Sequence, residues 1–197
     1  MASYSMHLAI VKLYLKSHPE ENEEEFIKGT LEPDMVPSSE KGRTHYGKHA
    51  AWANPAKYLQ ENGRSIENSY KRGYFLHLVT DYLFYHYLID IDELIARLGL
   101  DEWINSQRND FSILEGEIVD KYQIQDWVDK LPEILKKAMQ RSEGELIVFE
   151  RESLFIFFED IANIDLDKMA EELLKDPEAD LIKLFEELRL QQIQECR

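Results

Sequence analysis

Apolar positions recur along this chain at intervals of three and four residues, the period of an α-helix with one buried face. The clearest stretch is Tyr70 to Leu88, which has helical length, no proline and a single glycine near its start. At roughly 100° per residue, Tyr70, Tyr74, His77, Asp81, Phe84, Tyr85 and Leu88 fall on one face. An imidazole and a carboxylate therefore stand one turn apart inside an apolar and aromatic stripe. Side chains at i and i+4 approach to about 5–6 Å at Cβ, close enough to share one metal ion. A carboxylate in the middle of such a stripe is unfavourable unless something pairs with it. A metal ion would serve, and so would a structural couple of His77 with Asp81.

The same period predicts further helices. Ser5 to Ser17 forms the first, with His7, Val11, Tyr14 and His18 on one face. His7 there is either a hydrogen-bonded core histidine or a ligand. The acidic run Glu20–Glu25 opens a second, short helix, as acidic residues suit a helix N-terminus, and Gly29 is its expected stop. Pro33 and Pro37 then bracket Asp34 in a stiff, non-helical segment. Ser38–Arg43 reads as a polar loop leading into Thr44-His45-Tyr46. His45 and His49 are four apart, with Gly47 between them weakening a helix there. Beyond the central helix, the pattern predicts Asp92–Leu98, Asp101–Asn105, a polar loop at Ser106–Asp110, and Phe111–Tyr122 interrupted at Gly116. Gln125–Gln140 follows, with a kink or restart at Pro132, then a core helix over Glu145–Ala162, within which Leu146–Phe149 also reads as a strand. Two amphipathic helices, Asp165–Leu174 and Glu178–Gln194, close the chain.

Composition agrees with an all-α protein. Only 8 Gly and 6 Pro occur in 197 residues, and 44% of positions are apolar. This length suits one domain, read as residues 1–197, with a core of its own. All six histidines lie at or before His86. Residues 1–90 are therefore the half that can build a metal site, and 91–197 a helical scaffold. The net charge of −16, from 23 basic and 39 acidic residues, disfavours nucleic acid, whose binding needs basic patches. It also disfavours anionic membrane surfaces. No stretch approaches the ~18 uninterrupted apolar residues of a membrane span. The N-terminus has no basic segment or small-residue cleavage site of a signal peptide. Cys196 is the only cysteine, which excludes a disulfide framework and a cysteine zinc site. The expected location is the cytoplasm.

Five pieces stand in order: His7 in the first helix, an apolar-Gly-x-x-x-Pro-Asp segment over Phe26–Asp34, Thr44-His45-Tyr46, Gly-Tyr-x-x-His-x-x-x-Asp over Gly73–Asp81, and the aromatic run Tyr82–Tyr87. This order resembles the zinc-dependent phospholipase C family, whose all-helical multi-helix bundle is shared with single-strand-specific nucleases. The resemblance implies one zinc held by Asp34, His45, His77 and Asp81. It implies a second sharing Asp81 with His7, and Asp34 as a candidate general base. The family's third site needs a later His-x-x-x-Glu, which this chain lacks, so a mononuclear or dinuclear site is expected. Zinc is the implied cofactor, and iron, nickel or manganese also suit such donors. Two functions follow. One is a zinc-dependent hydrolase of a small phosphoester. The other is an inactive, metal-clamped helical protein that binds a protein partner.

Overall fold

The computed structural model describes residues 3–139 and 141–195, so Cys196 lies outside the described residues. The first five helices are α1 (Tyr4–Ser17), α2 (Glu23–Leu31), α3 (Lys41–Thr44), α4 (Pro55–Glu61) and α5 (Ser69–Leu83). Then come α6 (Ile91–Leu98), α7 (Leu100–Tyr122), α8 (Gln125–Lys130) and α9 (Glu133–Ala138). The last are α10 (Arg151–Ala162), α11 (Leu166–Lys175) and α12 (Leu181–Glu195). No strand forms among the described residues, and the all-α expectation holds. None of these helices is long and apolar enough to cross a membrane.

Helix α5 is the axis. Its residues from Gly73 to Asp81 are all buried, and α2 crosses it closely. Glycines make that crossing possible. A Cβ on Gly29 would lie 2.1 Å from the Tyr70 carbonyl oxygen, and one on Gly73 would lie 2.1 Å from that of Phe26. Gly29 was expected to stop α2, but the helix runs on to Leu31, because this glycine serves contact between backbones. Thr30 fixes the crossing by donating its hydroxyl to the carbonyls of Phe26 and Gly73, at 3.0 and 3.1 Å.

Three other boundaries differ from the pattern. The central helix is α-helical only to Leu83 and then widens into a π-helical turn over Phe84–Leu88. The wider turn keeps Phe84 and Tyr85 both inside, the latter receiving a hydrogen bond from Gln107. The expected loop at Ser106–Asp110 is instead the middle of α7. Its polar side chains Ser106, Gln107 and Asp110 are buried, and the latter two make inward hydrogen bonds. Asp110 accepts the backbone N–H groups of Ile147, Val148 and Phe149 at 2.7–2.8 Å. Those bonds hold this segment out of the helix expected from Glu145, and α10 begins at Arg151. Phe149 is thereby set against Phe84 and Phe111, with ring centroids 5.5 and 4.8 Å away. The break at Pro132 separates α8 from α9 as expected. One continuous apolar core draws on residues from Tyr4 to Leu188, with α1 packed on α7 and α10.

Candidate metal centre

Each candidate side chain is carried to one point by a different element. His7 projects from the second turn of α1. The N-terminus of α1 is tied to α7 by the Ser5 hydroxyl, which donates to Glu115 at 2.9 Å. Asp34 ends a short 3-10 turn that continues α2, and its carbonyl accepts the Tyr4 hydroxyl at 2.8 Å. His45 caps α3. That helix is tied to the Asp34 turn by the Thr44 hydroxyl, which donates to the Pro33 carbonyl at 2.8 Å. His77 and Asp81 come from the buried face of α5. Tyr74, one turn before His77, donates to the Thr44 carbonyl at 2.6 Å. The turn, α3 and α5 are thus laced together around the cluster.

One donor atom from each of Asp34, His45, His77 and Asp81 lies within 4.8 Å of the others. His45 Nε2 is 3.0 Å from His77 Nε2, 3.2 Å from Asp81 Oδ2 and 3.5 Å from Asp34 Oδ1. His77 Nε2 is 3.6 Å from Asp81 Oδ2. Zinc with ligand bonds of about 2.0–2.1 Å in a tetrahedron sets its donors roughly 3.3 Å apart. These four separations bracket that value and the whole donor set lies within 4.8 Å, so the residues converge on one ion-sized site. His7 Nε2 meets the other oxygen of Asp81, Oδ1, at 3.3 Å, and stands 4.0 Å from Asp34 Oδ2. Its ring stacks on that of His77 at 4.1 Å.

The hydrogen-bond pattern points the same way. Both nitrogens of His7, Nδ1 of His77, Oδ2 of Asp34 and both oxygens of Asp81 are buried without a hydrogen-bond partner. Buried polar atoms are seldom left so, and a cation among them satisfies several at once. His45 Nδ1 lies 2.9 Å from the Lys41 carbonyl. A carbonyl only accepts, so Nδ1 carries the hydrogen and Nε2 turns its lone pair into the cluster, the arrangement common behind metal-bound histidines. Burial, reinforced by neighbouring His7, holds His77 well below the usual histidine range and therefore neutral. Neutral imidazole and carboxylate are the forms a metal binds.

A buried lysine completes the cluster. Lys41 is 4% exposed, and its ammonium contacts Asp34 Oδ1. Pattern reading placed Lys41 in a polar loop. Its spacing of four before His45, enough to bring two side chains onto one helical face, was the only signal. His49 and His86 remain outside the cluster. The chain leaves the α-helical path at Tyr46, whose φ is 58°, so His45 and His49 do not form a helical pair. His86 Nε2 lies 2.7 Å from the Ala51 carbonyl. The five candidates are at most 3% exposed. A cavity of about 660 Å³ opens nearby, lined in part by Thr44, Tyr46, Tyr58, Tyr70 and Tyr74, but by none of the five.

A family model described as zinc dependent phospholipase C matches residues 6–158. That span contains all five candidates. No curated protein and no solved structure matches the chain.

Proposed function

Because the chain belongs to the zinc-dependent phospholipase C family, we propose that it is a metal-dependent phosphoester hydrolase. Asp34, His45, His77 and Asp81 would hold zinc, with His7 as a further donor beside Asp81 Oδ1. The observation that carries this reading is the convergence of these donors within 4.8 Å. Zinc bound there supplies a water acidified toward neutral pH and a Lewis acid for a phosphoryl oxygen. The chain's own residues do the rest. His45 is oriented by the Lys41 carbonyl. His77 is held neutral by burial. Asp34, whose Oδ2 has no hydrogen-bond partner, is the group we assign to accept a proton from an attacking water. The excess of acidic residues favours a small or neutral phosphoester over an anionic polymer. We also propose that residues 1–197 form one domain, a reading supported by the single core.

A second reading is a metal that only clamps the N-terminal half while the chain binds a protein partner. The near-complete burial of all five candidates favours it. Hydrolysis of bis(p-nitrophenyl) phosphate and p-nitrophenyl phosphate in added zinc separates the two. The enzyme reading expects turnover by the wild type, lost in His77→Ala and Asp81→Ala proteins that keep their helical circular dichroism. Equal loss of helicity and activity, or no turnover by metal-loaded wild type, favours the clamp.

A further inference from the structure

The cavity of about 660 Å³ near the metal centre is lined by four tyrosines. Tyr58 and Tyr74 are buried and stacked, with centroids 4.9 Å apart and planes within 3° of parallel. Tyr46 and Tyr70 are half-buried beside them, 5.3 Å from Tyr58 and 6.2 Å from Tyr74 respectively. Protein groups already engage all four hydroxyls. Those of Tyr58 and Tyr74 donate to the Lys71 and Thr44 carbonyls, at 3.2 and 2.6 Å. Tyr70 bonds the Glu32 side chain, and the Tyr46 oxygen accepts an amide hydrogen of Asn62 at 2.8 Å. What the tyrosines offer a ligand is therefore ring surface, which attracts cations. Lys28 already uses it, with its ammonium 5.7 Å over Tyr70.

Charge selects the same kind of ligand. The basic residues of the cavity, Arg43 and Lys71, are held by Glu40 and Glu67 at 3.1 and 2.8 Å, and neither of those carboxylates lines it. Glu21, Glu25 and Glu32 do. Glu25 is shared with Lys28, 3.6 Å away, which leaves Glu21 and Glu32 to meet an incoming cation. A guanidinium uses rings and carboxylates together, since it stacks on the first and pairs in its own plane with the second. Asn22 and Asn68 also line the cavity. Their side-chain oxygens cap α2 and α5 at 3.1 and 2.9 Å, so each keeps its amide N–H groups as donors for a peptide's carbonyls. We propose that this cavity is a docking site for an arginine side chain on a peptide segment of a partner protein. The inference depends on neither reading of the metal centre.

The test is an NMR titration of the full-length protein with the acetylated, amidated tripeptide Ala-Arg-Ala and its lysine and citrulline counterparts. The arginine peptide should shift the Tyr46 and Tyr70 resonances. It should bind about 10-fold tighter than the citrulline peptide, which keeps the shape without the charge, and tighter than the lysine peptide, which cannot stack. Glu21→Gln with Glu32→Gln, both exposed, should weaken arginine binding by ~10-fold or more. Glu152→Gln with Glu171→Gln makes the same charge change outside the cavity and should leave affinity within about twofold, because salt screens distant charges. Tyr70→Leu should weaken binding and Tyr70→Phe retain it, and the glutamate pairs decide alone should Tyr70→Leu fail to fold. Equal weakening by the two glutamate pairs means general charge attraction and overturns the inference. So does equal affinity for the citrulline or lysine peptide, or no shift of either tyrosine. Tetramethylammonium binding as tightly as the arginine peptide also overturns it, because a small alkylammonium would then be the occupant.

Discussion

Replacing Gly73 by alanine decides whether the α2/α5 crossing sets the metal centre. Helix propensity alone argues that the change stabilises, since alanine exceeds glycine by about 1 kcal/mol in a helix interior. The structure argues the opposite. The new Cβ would sit 2.1 Å from the Phe26 carbonyl oxygen, about 1.3 Å inside ordinary van der Waals contact at 3.4 Å, and 2.9 Å from the Thr30 hydroxyl. Neither helix backbone can yield locally, so the helices must part. Overpacking of this kind costs roughly 1–3 kcal/mol. Loss of the Thr30 hydrogen bond to Gly73 adds about 1 kcal/mol. After the propensity gain, the net loss is ~1–3 kcal/mol, or a melting temperature lower by about 2–12 °C at this chain length. Parting the helices also carries Asp34, at the end of α2, away from His77 and Asp81 on α5. Zinc affinity should therefore fall by ~10-fold or more, as it does when residues behind metal ligands are disturbed. Urea unfolding and competitive zinc titration measure the two effects. Gly116→Ala is the control. Its Cβ meets only the Arg141 side chain, at 3.5 Å and beyond, so it should gain up to ~1 kcal/mol. A Gly73→Ala protein as stable as wild type, with unchanged zinc affinity, would refute the reasoning.

Asp110→Ala removes the acceptor of three backbone N–H groups and should lower stability by about 3–5 kcal/mol, read by urea unfolding. A loss below ~1 kcal/mol would mean that water replaces those bonds. Glu115 is raised above the usual carboxylate range by burial, against the lowering effect of the Ser5 and Ser3 hydroxyls. A raised folded pKa gives stability that is present below the unfolded value near ~4.3 and is lost as pH rises through the folded value. Wild type should therefore lose stability relative to Glu115→Gln as pH rises from 4 to 7, and parallel curves from urea titrations would remove Glu115 as the cause.

Much of the site could be read from the chain because its key pair is local. His77 and Asp81 share one helix, and their position in an apolar stripe follows from spacing alone. Periodicity also predicts most helices, although α5 is buried on all sides from Gly73 to Asp81. Several of the differences share one physical cause, which is that polar residues find buried partners distant in sequence. Asp110 and Gln107 read as loop residues because composition does not reveal a distant backbone N–H or phenol as partner. Residues 145–150 read as helical because their apolar pattern carries no trace of the Asp110 carboxylate that accepts three of their backbone N–H groups. Gly29 was read as a stop when it is a contact. Lys41 went unnoticed for the same reason as Asp110, because its partners Asp34 and His45 meet it only in the folded chain.

The central claim is that Asp34, His45, His77 and Asp81 hold a metal ion. Elemental analysis tests it most directly, on untagged wild type and Asp81→Ala purified in parallel without chelator. Near-stoichiometric zinc in wild type, lost in a folded Asp81→Ala protein, is the predicted result. No metal in either protein would contradict the account.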